Sequence, residues 1–548
     1  MNRRKFIKNL STGVGCATLA LNSIPLSVMA ENHHFQALAA ASTNDRILVV
    51  LNLNGGNDGL NTLIPINQYD TYVNRRPNIA IPNSGNRSYI ELDQTLSLEN
   101  QVGLHPDMVG MKELYDRGEV SIVQGVAYPN TNGSHFRGTD IVSMGGGSTD
   151  YLTSGWAGRY LDQVFPNYPA NYPNADMPDP LAIELFSQVP LLFSRSGKLS
   201  TSFALGNITR FYRLVNGLEG FNDIDNVDPR GVPPTSLSNT GYASEMDFLL
   251  GIEQATNVYA TRLNDIYDAG SNSTNVTYPE TSLAAQFEII ARLLDGGCKT
   301  KIYSVRLGGF DTHAAQVEDG DTTIGRHAVN MKALSEAIKA FQDDLKELGL
   351  HGRVLTITTS EFGRRIDSNG SFGTDHGNGA PWFIIGKYSK PGIIGNNPDL
   401  TTDDKNVPMQ HDYRQVLTSV LKDWFGADNQ IITETKFENF ADNTLPIVDA
   451  QAITSVDEFI NDRFRLNNCY PNPATSAVEF SFYINTPAEV SFVLSDSNGK
   501  KVKTIFSGQK RIGLHKIKLN IADLAPGIYV YSIKAGLLKD SKKLVIRG

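Results

Sequence analysis

Two short β-branched runs, Lys301 to Arg306 and Val354 to Thr359, bracket a segment in which Leu334, Ile338, Phe341, Leu345 and Leu348 recur at alternating steps of four and three. Strand, helix, strand is a βαβ unit, and it commits this part of the chain to a parallel sheet. The unit also fixes where chemistry can sit, because ligands of an open parallel sheet bind beyond the carboxyl ends of the strands. Both runs lead into motifs rich in acids and imidazoles. GGFDTH (Gly308 to His313) follows the first, TSEFGRR (Thr359 to Arg365) closes the second, and GTDHG (Gly373 to Gly377) comes soon after. Asp311, His313, Glu361, Asp375 and His376 are hard-oxygen and imidazole donors, the composition of a metal site.

The same alternation appears earlier in the chain. ILVVLNL (Ile47 to Leu53) is a continuous apolar run of strand length, as expected for a strand buried on both faces. It ends in NGGNDGLNT, which brings Asn54, Asn57 and Asp58 to the same rim or simply makes an Asx turn. A helical pattern through Met108, Met111, Leu114 and Tyr115 precedes the strand VSIVQG (Val120 to Gly125). After that strand, Ser134 stands where a helix begins. There a serine is an N-cap, or a hydroxyl placed where free backbone N–H groups and the helix dipole stabilise negative charge. Arg137, one turn on, is either a solvated side chain or an anion contact. Residues 150–276 are rich in Asn, Pro, Gly and Tyr with weak periodicity, and read as loops and short helices inserted over the rim. Further helices are expected around Leu283 to Leu294 and from Tyr413 to Phe425, with a strand at PWFIIG (Pro381 to Gly386).

These elements predict an α/β fold, a doubly wound mostly parallel sheet sandwiched by helices, over residues 46–450. A formal net charge of -9 argues against a nucleic-acid partner, since phosphate contacts need a basic face. With three cysteines, Cys16, Cys298 and Cys469, neither a disulfide framework nor a cysteine-type zinc site is expected.

Both ends of the chain read as targeting segments. Residues 1–30 have the layout of an export signal, and Arg3, Arg4, Phe6 and Lys8 resemble a twin-arginine signal, with 31–45 as a linker. No transmembrane anchor is expected in the mature chain. After a second linker, 451–468, the last stretch, 469–548, alternates apolar and polar residues between turn signals such as Asn498 Gly499 and Pro526 Gly527, the pattern of a small all-β sandwich. Through Asn472 Pro473, Asp496 to Lys500, Gly527 Ile528 Tyr529 and the terminal KKLVIRG, it resembles the sorting domain of the type IX secretion system. The first resemblance implies passage through the twin-arginine machinery to the periplasm, and the second implies passage through the type IX machinery to the cell surface or the medium.

Residues 46 to about 450 resemble domain-of-unknown-function family 1501 through GGNDGLNT, GLHP, VQGVAYPNTNGSHFR, GGFDTH, TSEFGRR and GTDHG. The family is similar to the alkaline phosphatase and sulfatase superfamily. This implies a metal-dependent hydrolase of phosphate or sulfate esters, acting on a small or polymeric substrate, with one or two divalent ions (Zn, Mn, Fe, Ca or Mg). Ser134 would be the nucleophile. Asp311, His313 and His376 resemble the ligands of one ion; Asp58 (or Asn54 or Asn57), Glu361 and Ser134 resemble those of a second, with Asp375 in reserve. Phe362 stands where sulfatase relatives carry a histidine, so Arg364 or Arg365 is expected to neutralise the substrate anion. The sulfatase-type cysteine motif does not occur, which excludes a formylglycine nucleophile. The alternative is a non-catalytic surface or secreted binding protein that keeps the fold. His105, His135, His327 and His411 lack such partners in sequence and read as structural, with His135 in reserve because it adjoins Ser134.

Overall fold

The computed structural model describes residues 45–204, 259–453 and 464–547, apart from 167, 170–171, 175, 186–190, 196–199, 468, 485–486, 497–498, 512 and 537, together with the paired strands Ala20–Leu21 and Ile24–Pro25. Most of the expected signal and first linker, residues 205–258 of the insert and 454–463 of the second linker therefore lie outside the described residues. The chain divides into two units, Met1–Arg46 and Ile47–Gly548.

The larger unit is built on a nine-stranded mixed sheet. Its strands are β1 (Ile47–Leu53), β2 (Val120–Ala127), β3 (Ala182–Glu184), β4 (Ser202–Ala204), β5 (Ile302–Leu307), β6 (Val354–Thr359), β7 (Ala380–Ile385), β8 (Gly392–Ile394) and β9 (His411–Asp412). They lie in the order β8, β2, β7, β6, β1, β5, β3, β4, with β9 also on β2. Only β7 runs against its neighbours. The remaining pairs are parallel. The doubly wound, mostly parallel sheet read from the sequence is the one observed.

β1 shows why an unbroken apolar run is needed at the centre. Its side chains alternate between two cores: Ile47, Val49, Leu51 and Leu53 enter one, and Leu48 and Val50 the other. On the first face lie helices α1 (Val109–Asp116), α4 (Ser282–Asp295) and α5 (Arg326–Glu347), through Met111, Leu114, Phe287, Leu334, Ile338 and Phe341. The rings of Phe287 and Phe341 stack at 4.6 Å where α4 meets α5. On the second face are α2 (His135–Met144), α3 (Trp156–Val164) and α6 (Tyr413–Ser419). The single helix expected through Phe425 is in fact α6 followed by a π-helical turn, Val420–Trp424, which lets the Trp424 indole donate to the Ile47 carbonyl at 3.1 Å.

Register then places the site. Leu307 of β5 pairs with Leu53 of β1, and Thr359 of β6 with Asn52, so three adjacent parallel strands end at one level. The turns after them, starting at Asn54, Gly308 and Ser360, leave from a common rim.

Residues 464–547 form antiparallel sheets of three and four strands over a core of their own that includes Phe480, Phe482, Phe492, Leu494, Tyr531 and Ile533. This is the small all-β sandwich expected. Cys298 and Cys469 are buried and unpaired. Among the described residues no helix is long and apolar enough to cross a membrane.

Candidate metal centre

Gly55 and Arg364 organise the rim. Gly55 takes φ +124°, and a Cβ there would lie 2.2 Å from the Asp311 amide nitrogen, so only glycine allows the β1 and β5 turns to touch. Its N–H donates to Glu361 Oε1 at 2.7 Å, and its carbonyl accepts from Arg364. The Arg364 guanidinium is buried and also donates to the carbonyls of Gly56 (2.9 Å), Thr374 (2.9 Å) and Phe310 (3.1 Å) and to Asp311 Oδ1 (2.7 Å). Arg364 therefore staples three loops together from beneath rather than facing a substrate.

Asp311 Oδ1 is the meeting point of the centre. His313 Nδ1 lies 2.7 Å from it, His135 Nε2 3.3 Å and His376 Nε2 3.5 Å. Burial acts to raise the pKa of Asp311, but the hydrogen bond and charge of Arg364, with His135 and His313, hold it well below the usual carboxylate range. His135, His376 and Asp311 each offer a ligand atom within 4.8 Å of the others, and among the described residues they are the one such group. His313 shares the carboxylate but stands outside that group.

The outer nitrogens of two rings decide what the inner ones present. His376 Nδ1 is 2.6 Å from the Gly133 carbonyl, which can only accept, so Nδ1 carries the proton. Burial and nearby positive charge lower the pKa of His376, leaving a neutral ring with the Nε2 lone pair turned toward a carboxylate. His135 Nδ1 donates to Glu361 Oε1 at 2.8 Å, and its Nε2 is buried without a hydrogen-bond partner. The Glu361 bond raises the pKa of His135 against the effect of burial. A carboxylate behind an imidazole whose other nitrogen faces a second carboxylate is how protein metal ligands are commonly oriented. A divalent cation fits this donor set, because the inner nitrogens of two rings and a carboxylate oxygen converge on one point.

The other candidate residues are placed differently. Ser134 is the exposed N-cap of α2; its Oγ accepts from Arg137 N at 3.5 Å, and it stands between Gly133, which holds His376, and His135. Arg137 reaches away, to the carbonyls of Ser148 and Asp150, with its guanidinium 4.1 Å over the Tyr151 ring. Asp375 is set apart, 3.3 Å from Arg365 and from Asn369 Nδ2. Asp58 is fully buried below the rim. It pairs with Arg76 at 2.7 Å and accepts from Gln316 at 2.6 Å. Arg76 continues to the carbonyls of Arg365 and Ile366, and Gln316 accepts from Thr312 and Thr374. Asp58 thus anchors the floor under the loops that carry His313 and His376. Burial works to raise its pKa and the Arg76 charge prevails, keeping it ionised.

His327 lies against this floor, 3.5 Å from Thr62 Oγ1, and burial depresses its pKa to about 4. Protonation therefore favours the unfolded chain. From this group, stability should fall as pH drops from about 6.5 to 4, by roughly 3 kcal/mol at the lower end. Urea midpoints at the two pH values measure the change, and His327→Gln should flatten it; an unchanged slope in the variant would assign the acid sensitivity elsewhere.

Sequence reasoning set aside His135 and did not single out Arg76 or Gln316. Its reserve on His135, adjacency to Ser134, was the available signal.

Comparison with known proteins finds two matching family models. Residues 252–435 match "Protein of unknown function (DUF1501)", and residues 468–547 match "Secretion system C-terminal sorting domain". No curated protein matches. Among solved structures, a protein in the alkaline phosphatase superfamily from Vibrio parahaemolyticus aligns at 12% identity over 83% of this chain and 85% of that one, with a TM-score of 0.29. The PsFucS1 sulfatase from Pseudoalteromonas sp. aligns at 12% identity over 89% of each chain, with a TM-score of 0.26. Dimeric latent PorU from Porphyromonas gingivalis aligns at 17% identity over 15% of this chain, with a TM-score of 0.14, and the aligned part is 9% of that protein's length. The architecture rests on the strand order above, not on these alignments. The sorting domain marks the protein for export to the cell surface or the medium.

Proposed function

We propose that this exported protein is a metal-dependent hydrolase of phosphate or sulfate esters, with its centre at His135, Asp311 and His376. One observation carries the reading: two imidazoles whose outer nitrogens are tied to Glu361 and Gly133 turn their inner nitrogens onto one Asp311 oxygen. A divalent ion bound there would supply positive charge that polarises the ester and favours ionisation of a neighbouring hydroxyl. Ser134 is the residue best placed to provide that hydroxyl. It is exposed, precedes a ligand, and caps a helix whose first N–H groups and dipole stabilise negative charge. His313, 2.7 Å from Asp311, is positioned to exchange a proton at the edge of the centre. Arg364 and Glu361 hold Asp311 and His135 in place. Arg137, with its guanidinium over the Tyr151 ring, is proposed to meet the substrate's outer part.

A twin-arginine signal over 1–30 and the division into 46–450, 451–468 and 469–548 complete the proposal. Substrate entry is assigned to the side of the rim where Ser134, His313 and Asp311 are open to solvent.

Dialysis against a chelator is expected to abolish turnover of aryl phosphate or aryl sulfate esters, and one equivalent of Zn or Mn should restore it. A folded protein that neither binds metal nor turns over any ester in the panel would favour the non-catalytic binding protein.

A further inference from the structure

We propose that the outer face of the four-stranded sheet within residues 469–548 binds an acidic polysaccharide, so that this domain can hold the exported protein to an anionic sugar matrix.

Charge sets this part of the chain apart. Residues 469–548 carry 12 Lys and Arg against 5 Asp and Glu, a net of +7, in a chain whose total is -9. The preceding 468 residues therefore carry -16. A step of that size at a domain boundary points to an anionic partner for the basic part.

The sheet register shows where the charge gathers. Strands Lys501–Lys510, Ala488–Asp496, Gly527–Ala535 and Leu538–Ile546 lie side by side in that order. Phe492, Leu494, Tyr531 and Ile533 enter the core, so the residues alternating with them face outward. On that outer face Lys534 stands directly opposite Lys539, while Lys501, Ser495, Val530 and Lys543 form one row across all four strands. All four lysines are exposed. Like charges in directly opposed positions destabilise a sheet, and an anion lying across Lys534 and Lys539 would relieve that repulsion. Acids of the same domain answer other lysines: Asp523 pairs with Lys503 at 3.0 Å and Glu479 with Lys518 at 3.9 Å.

Between the lysines the face bears hydroxyls. Ser532 and Ser541 share a hydrogen bond of 2.7 Å, and Ser491, Ser495, Ser532, Lys534 and Lys539 line a hollow of 410 Å³. Asp496 also borders it, with its carboxylate accepting from Lys500 N at 3.0 Å. Lys539 and Lys543, four residues apart on one strand, are separated by about 14 Å, and three strand spacings put Lys501 about as far from Lys543. Charges at such intervals, with hydroxyls between them, match anionic groups borne along a sugar chain whose own hydroxyls exchange hydrogen bonds with the serines. Nucleic acid would bring a denser row of phosphates and bases that seek aromatic faces. A bilayer would need apolar side chains standing out beyond the lysines, whereas the valines at the centre of this face, Val493 and Val530, are half-buried.

The test is a binding titration of the full-length protein with dextran sulfate, neutral dextran, a single-stranded oligonucleotide and phosphatidylglycerol vesicles. Dextran sulfate is expected to bind most tightly and to weaken as salt is raised, with neutral dextran unbound. Lys534→Ser with Lys539→Ser should lower the affinity for dextran sulfate by roughly tenfold. Lys516→Ser with Lys518→Ser removes the same charge from exposed positions on the three-stranded sheet and should change it by less than about twofold. Circular dichroism checks that each variant keeps its fold. Equal losses in the two double variants would mean that net charge alone acts, and would overturn the proposal. Tighter binding of the oligonucleotide or the vesicles than of dextran sulfate would overturn it as well, by assigning the face to nucleic acid or to a membrane.

Discussion

Ser134→Ala is expected to lower kcat/KM for the preferred ester by roughly four orders of magnitude, because removing a nucleophile leaves only the contribution of binding and of fixed charges. Metal binding should be unchanged, since the candidate ligand atoms are those of His135, Asp311 and His376 while the Ser134 hydroxyl accepts from Arg137 N. The competing role for this serine is that of a helix cap alone. In that case the same substitution would cost about 1 kcal/mol of stability and leave turnover where it was. Measuring kcat/KM, metal stoichiometry and a denaturation midpoint on one preparation separates the two: full activity with reduced stability would remove Ser134 from the chemistry.

Asp58→Ala should produce the largest loss of stability, about 3–5 kcal/mol, because it leaves the Arg76 guanidinium buried and unpaired. Arg76→Met should cost a similar amount through the stranded carboxylate. Together the two changes should cost less than their sum, since the double variant buries neither charge alone. Urea denaturation of the three variants reads this directly. Additive losses would mean that the pair is not coupled, and that the floor beneath the loops is held by its backbone acceptors. A folded Asp58→Asn protein should still take up its ion, because Asp58 faces Arg76 and Gln316.

The sequence revealed the sheet because its demands on residue type are local. A strand covered on both faces is built mostly of apolar and β-branched residues, and Ile47–Leu53 and Val354–Thr359 are buried nearly throughout. The helix between β5 and β6 was legible for the same reason, since each turn must return to one core. Asp311 and His376 were legible from the strand ends that deliver their loops. His135 was not, because what orients it is Glu361, 226 residues away, and nothing near His135 in the chain hints at that bond. Asp58 was placed on the rim by its position after β1, but it precedes the short helix Gly59–Thr62, and its side chain turns inward to Arg76. Arg76 itself lies in a polar stretch with no pattern to mark it. The π-helical turn was also hidden, as one added residue per turn barely alters which side chains face inward.

The reversed strand β7 has a consequence for how such a site can diversify. Because it runs against β6, its first residue lies at the rim where β6 ends, so residues 360–379 leave and re-enter the sheet along the same edge without crossing a face. Such an excursion can lengthen, shorten or change composition at little entropic expense and without disturbing either core. Gly373 and Gly377 pack on the neighbouring Thr312 and Arg364 backbones and pin the inner part, Asp367 is held by Arg75, and Gly370 and Ser371 are exposed at the outer end. The fold therefore combines a pinned anchorage with a margin that can be reshaped without rebuilding the sheet.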